Sequence, residues 1–112
     1  MAPASSPSTD LSFRSGELML SGTVVRPHPA EGPPGPAALI LPGSGPIDRD
    51  GDHKRLALGI SRAVADALAE HGMASLRYDK RGTGRSEGEW LRTGLLDNVE
   101  DARAALEALA GQ

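Results

Sequence analysis

Apolar positions recur along this chain with two different periods. Ala37, Ala38, Leu39, Ile40 and Leu41 follow one another without alternation. Such a run suits a strand covered on both faces, as in parallel sheets. Pro42 ends it, having no N–H to give a ladder, so a buried strand is predicted over 37–42. A helical period follows. Leu56, Ile60, Val64 and Leu68 are spaced four apart, with Ala63 and Ala67 beside them. They predict a helix over 55–71 that packs this stripe on a sheet. Gly72 is a fitting stop, and a second buried strand is predicted over 73–78. Val99, Ala102, Leu106 and Leu109 predict a last helix over 97–110. Asp97 and Glu100 form a capping pair at its start, and Gly111 ends it.

Before these elements the period is shorter. Segments 11–13 and 17–26 read as two antiparallel strands turned at Ser15-Gly16, with Leu18, Leu20, Gly22 and Val24 alternating with more polar positions. The stretch 27–36 holds five prolines and is a loop. Residues 1–10 are Pro/Ser-rich and are expected to form a disordered tail. There is no internal repeat. The fold class is therefore α/β: a β-hairpin, then β-α-β-α on a parallel sheet.

The loop after the first buried strand carries the first candidate chemistry. Gly43, Ser44, Gly45 and Pro46 place backbone N–H groups where they can point outward unpaired. A strand leading through glycines into a helix makes anion and oxyanion sites. It also makes plain strand-to-helix turns, and the residues alone leave both readings open.

Two segments taken together resemble the α/β-hydrolase superfamily, and within it carboxylesterase-like members related to dienelactone hydrolases and acyl peptidases. They are L-P-G-S-G-P-I-D-R-D-G at 41–51 and R-Y-D-K-R-G-T-G-R-S at 77–86. The resemblance spans roughly residues 11–110. It implies that the first segment is the loop after the family's third strand, which supplies one oxyanion-hole N–H. Ser44 is the expected donor, with Gly43 and Gly45 as neighbours. The second segment is the D-x-R-G-x-G-x-S turn after the fourth strand. There Asp79, Arg81, Gly82, Gly84 and Ser86 form a scaffold bordering the active site without making bonds to substrate. Many members have His where Pro42 stands, so that residue's role has no counterpart here.

The resemblance implies a serine that attacks an acyl carbonyl, a His–Asp pair that moves the proton, and backbone N–H groups that hold the oxyanion. The substrate would be a small carboxylic ester or related acyl compound. None of the three triad residues is apparent in this sequence. Gly84-Arg85-Ser86-Glu87-Gly88 matches G-x-S-x-G, but a nucleophile elbow needs a strand running into the first glycine and a helix starting at the serine. The strand here ends near Tyr78 or Asp79, several residues early. Ser44 has Pro42 and Pro46 where the elbow glycines belong. A triad histidine should follow nucleophile and acid in the chain. His28 lies between two prolines, His53 in a polar loop and His71 at a helix end, so each reads as a surface or capping residue. The expected unit is thus 11–112 as the N-terminal half of a hydrolase domain, truncated or split from the rest and inactive alone. The alternative is a stand-alone α/β module that binds a small anion or pairs through its sheet edge.

Other motifs fail on spacing. Asp48, Asp50 and Asp52 open like an EF-hand loop, but its sixth position is His53 and its twelfth is Gly59. These acids read instead as partners of loop N–H groups and of Arg49. The dinucleotide pattern meets Asp48 after Gly43-Ser44-Gly45, and Glu87 after Gly82-Thr83-Gly84. No cofactor and no metal is expected.

Composition narrows the class further. At 112 residues the chain is one domain at most, whereas large single domains reach about 200–250. Net charge is −3, from 12 basic and 15 acidic residues, which argues against nucleic acid or an anionic membrane as partner. The absence of cysteine excludes disulfides and thiol catalysis. No apolar run reaches transmembrane length and the N-terminus lacks the pattern of a secretory signal, so a cytoplasmic location is expected. In the strand order that the resemblance implies, the uncharged strand at 37–41 has a free edge, which is expected to favour self-association.

Overall fold

In the computed structural model of the chain, residues 8–27, 36–41, 48–50 and 59–112 are described. Strands β1 (Ser8–Ser15) and β2 (Leu18–Val25) form an antiparallel hairpin turned at Gly16, whose φ of 60° favours glycine. The first strand begins at Ser8, so residues 8–10 belong to the sheet rather than to the tail expected over 1–10. Asp10 lies opposite Thr23 and accepts a hydrogen bond from its Oγ1 at 3.2 Å. Residues 1–7 lie outside the described residues.

Strands β3 (Ala37–Ile40) and β4 (Ala74–Tyr78) pair in parallel, and β4 pairs antiparallel with β2. The sheet order is β1-β2-β4-β3. The sheet is therefore mixed, its parallel part being the β3–β4 pair. Strand β3 is only half-buried, and Leu41 beyond it is 57% exposed. Among the described residues β3 has a strand beside it on one side only, and the cover expected on its two faces is incomplete.

Helices α1 (Ile60–Glu70) and α2 (Leu95–Ala110) cover opposite faces of the sheet. Alternation along each strand separates the two cores. Phe13, Leu20, Val24, Leu76 and Tyr78 pack with Ala105 of α2, joined by Leu39. Val25 packs with Ala65 and Ala69 of α1, joined by Ile40.

Both helices are rotated from the predicted stripe. On α1 the buried residues are Ala65 and Ala69, while Ile60 and Val64 are 57% and 43% exposed. Val64 is one step, about 100°, from Ala65 on the helix surface. The small alanines let the helix sit close to the sheet. On α2 the buried residues are Asp101 and Ala105, while Val99 and Leu106 are exposed. Asp101 is drawn inward by Ser15 and Arg81, which turns the helix away from its aliphatic stripe. The helix also begins before Asp97. That residue sits in the first turn and accepts the Gly94 N–H at 2.9 Å.

Candidate functional site

The sheet's carboxyl end is where open α/β folds place ligands. There β4 runs into the turn Asp79–Ser86, and the short segment 48–50 lies beside it. Asp79 organises this corner. Its carboxylate accepts the backbone N–H of Arg49 at 2.7 Å and that of Arg85 at 2.9 Å. It also accepts the Arg49 guanidinium at 3.2 and 2.8 Å. Burial pushes this carboxyl up, but the hydrogen bonds and charge of Arg49 and the Arg85 N–H outweigh it and hold it below the usual carboxylate range. The same contacts hold Arg49 firmly charged. Arg49 reaches further, donating to the Gly22 carbonyl and to Thr23 Oγ1, each at 3.0 Å. It also pairs with Asp10 at 3.4 Å.

The glycines of the turn are shaped by these contacts. Gly84 has φ 49°, and a side chain there would strike the Asp79 carboxylate. Gly82 has φ 79°, and a side chain there would strike the backbone at Trp90. Ser86 is buried. Its Oγ donates to the Asp79 carbonyl at 2.6 Å and accepts the Ser21 N–H at 3.0 Å. The hydroxyl thus closes the turn onto β2, and no helix starts at this serine.

Asp79 and Arg81 turn to different partners. Arg81 leaves the turn and forms a two-pronged pair with Asp101 of α2, at 3.1 and 2.7 Å. It also meets Asp97 at 3.3 Å. Asp101 accepts Ser15 Oγ as well, at 2.5 Å. The hydrogen bond with Asp101 is the main cause that holds Arg81 firmly charged. Nearby, burial pushes the Tyr78 phenol up to about 12, and the charge of Asp101 adds to it. Lys80 stands 4.7 Å over the Trp90 ring, and burial lowers its pKa.

Segment 48–50 pairs outward more than within itself. Asp48 accepts the Asp50 N–H at 2.9 Å, but Asp50 pairs with Arg77 of β4 at 3.2 Å and Arg49 with Asp79. Among the described residues, Ser75 Oγ and Arg77 Nη1 are buried and find no hydrogen-bond partner. Among the described residues no cluster of three or more His, Asp or Glu is arranged to hold a metal ion. His71 is exposed at the end of α1, its Nδ1 2.8 Å from the Ala67 carbonyl oxygen. Gly43, Ser44 and Gly45, the expected oxyanion loop, lie outside the described residues, as do His28 and His53.

The sequence did not reveal three of these contacts. Arg49 finds its acid 30 positions away, and Arg81 finds Asp101 20 positions away. No periodicity links such pairs. The only available signal was a set of charges at the end of a buried strand. The Lys80–Trp90 contact left none.

No known sequence family matches this chain, and neither does any curated protein. Solved structures do resemble it. An α/β hydrolase, GrgF from Penicillium sp. sh18, is 27% identical at TM-score 0.72, covering 92% of this chain and 32% of its own. Est1E from Butyrivibrio proteoclasticus, solved with ferulic acid bound, is 20% identical at TM-score 0.73, covering 91% and 37%. An esterase from Pyrococcus furiosus is 20% identical at TM-score 0.71, covering 96% and 36%. The chain thus spans about a third of the length of each of these proteins. Among the described residues no helix is long and apolar enough to cross a membrane.

Proposed function

We propose that this chain, whose fold is a part of the α/β-hydrolase fold, is the N-terminal half, over 11–112, of a serine hydrolase that cleaves small carboxylic esters. The observation that carries the reading is its likeness in fold to hydrolases and esterases about three times as long. The role of this part is to frame the site. A serine outside 1–112 attacks the acyl carbonyl, and its proton passes to a histidine. Backbone N–H groups at Gly43–Gly45, Ser44 foremost, hold the oxyanion. The Asp79–Arg49 lock fixes the chain immediately after that loop. Ser86, with its hydroxyl engaged on both sides, is a strut of the frame.

The test uses the complete protein that carries this segment. Ser44→Ala keeps the backbone N–H and should leave kcat nearly unchanged. Ser44→Pro deletes it and should lower kcat by about 10²–10³. Equal, large losses would assign the chemistry to the hydroxyl. In parallel, residues 1–112 alone should hydrolyse short acyl esters no faster than their Ser86→Ala variant. Turnover abolished by that change would make Ser86 the nucleophile.

A further inference from the structure

The connection from β3 to α1 is anchored midway along its length. Ile40, the last residue of β3, pairs with Arg77 of β4. Just past the end of β4, Asp79 holds Arg49 by its backbone N–H at 2.7 Å and by its guanidinium at 2.8 Å. Both ends of the stretch 41–48 therefore rest on one short length of chain, 77–79. The next residue is tied down as well. Asp50 pairs with Arg77 at 3.2 Å, and its carbonyl accepts the Ser61 N–H, in the first turn of α1, at 3.1 Å. The anchor is withdrawn from water: the side chains of Arg49 and Asp79 are 15% and 4% exposed. Charge-assisted hydrogen bonds gain strength in such surroundings. The fork of an arginine suits the task. Its Nε and Nη2 face Asp79, while Nη1 reaches the Gly22 carbonyl and Thr23 Oγ1 on β2. The ammonium of a lysine is a single point and cannot hold both sides.

We propose that Asp79 and Arg49 are positioning residues for ester cleavage, holding the chain that leaves residues 43–45 and through it the Ser44 N–H. This role rests on the proposed oxyanion donor at Ser44. Such a donor works only within about 2.7–3.1 Å of the developing charge. A misplacement of about 1 Å can cost on the order of a hundredfold in rate. Gly45 stands four residues before Arg49, a tether of at most about 14 Å, so a slip at residue 49 is passed to the donor. Neither residue has to touch substrate. The Asp79 carboxylate is already taken by the Arg49 guanidinium and by the N–H groups of Arg49 and Arg85. The geometry also distinguishes this role from uniform stabilisation. Asp79 fixes one end of the stretch 41–48, and the β3–β4 pairing fixes the other independently. Loss of the anchor therefore leaves the sheet in place and frees one end of that stretch.

A double-mutant cycle in the complete protein that carries this segment tests it, with a short acyl ester as substrate. Asp79→Asn and Arg49→Lys should each lower kcat by about tenfold to a hundredfold, with KM nearly unchanged. Arg49→Lys keeps the positive charge and so serves if Asp79→Asn fails to fold. The same changes are then made beside Ser44→Pro, which deletes the donor. There they should lower kcat little further, because residues that act through one group do not add. A merely structural role predicts the opposite: losses that multiply in full. Multiplied losses, a loss that falls on KM, or wild-type kcat in both single variants would overturn the positioning role and leave the oxyanion reading standing. An unchanged kcat in Ser44→Pro, or no ester turnover by the complete protein, would remove that reading and this role with it.

Discussion

Tyr78 is the only tyrosine of the chain and is 4% exposed, its ring edge-on to Phe13 with centroids 5.8 Å apart. Burial, and after it the nearby Asp101, lifts the phenol from its ordinary value of about 10 to about 12. Folding therefore favours the neutral ring. That contribution is complete below about pH 10 and disappears as pH rises towards the folded value. A shift of this size is worth about 3 kcal/mol. Because no second phenol interferes, near-ultraviolet phenolate absorbance reports on Tyr78 alone. The folded chain should titrate near 12, or only as it unfolds, and the urea-unfolded chain near 10. A folded-state midpoint near 10 would show that the ring is open to water. Ser86 makes a parallel point about chemistry. A motif search sees a nucleophile, whereas the hydroxyl is already engaged between Asp79 and Ser21.

At the scale of elements, the end of α1 is the cleanest case of a residue dictated by backbone alone. Met73 N–H bonds the Leu68 carbonyl at 2.9 Å and Gly72 N–H bonds Ala69 at 3.1 Å, the two bonds of a Schellman stop. Gly72 has φ 83°, and a side chain there would meet nothing within 4 Å. Gly72→Ala should therefore lower stability by about 1 kcal/mol through conformation only. Urea unfolding should show a lower midpoint and an unchanged slope. An unaffected midpoint would mean that the helix end relaxes freely. Gly72 was legible in the sequence, and so were the hairpin, the parallel strand pair and both helices. The rotation of the helices was not. Periodicity locates an apolar arc but not which edge of it meets the sheet. On α2 that choice was made by a buried acid, Asp101, whose partners Ser15 and Arg81 lie 86 and 20 positions away. The turn at 79–86 was recognised as a scaffold, yet its ties to Arg49 and Asp101 are long-range and carry no spacing signal.

At the scale of the molecule, the sheet has unlike faces. The α2 side is a continuous apolar layer from Phe13 through Leu20 and Leu76 to Ala105. The α1 side is small beside it, with Val25, Ala65 and Ala69 at its centre. At the carboxyl end it gives way to charged groups, where Arg49 joins β1, β2 and the turn through Asp10, Gly22 and Asp79. An apolar layer is indifferent to pH, whereas this ionic corner depends on Asp79 remaining charged. Its carboxyl lies below the usual value in the folded chain. The contribution is therefore full above the ordinary aspartate value of about 3.9 and is lost as pH falls through the lower, folded value. Acid should consequently open the corner first. Hydrogen exchange on lowering the pH below about 4 should release the Arg49 and Arg85 amides, both bound to Asp79, ahead of the β2 and β4 amides over the apolar core. In Asp79→Asn those two amides should be weakly protected already at neutral pH, with little further change on acidification. Simultaneous release of all these amides in the unsubstituted chain would show one cooperative unit in which the ionic corner has no separate stability.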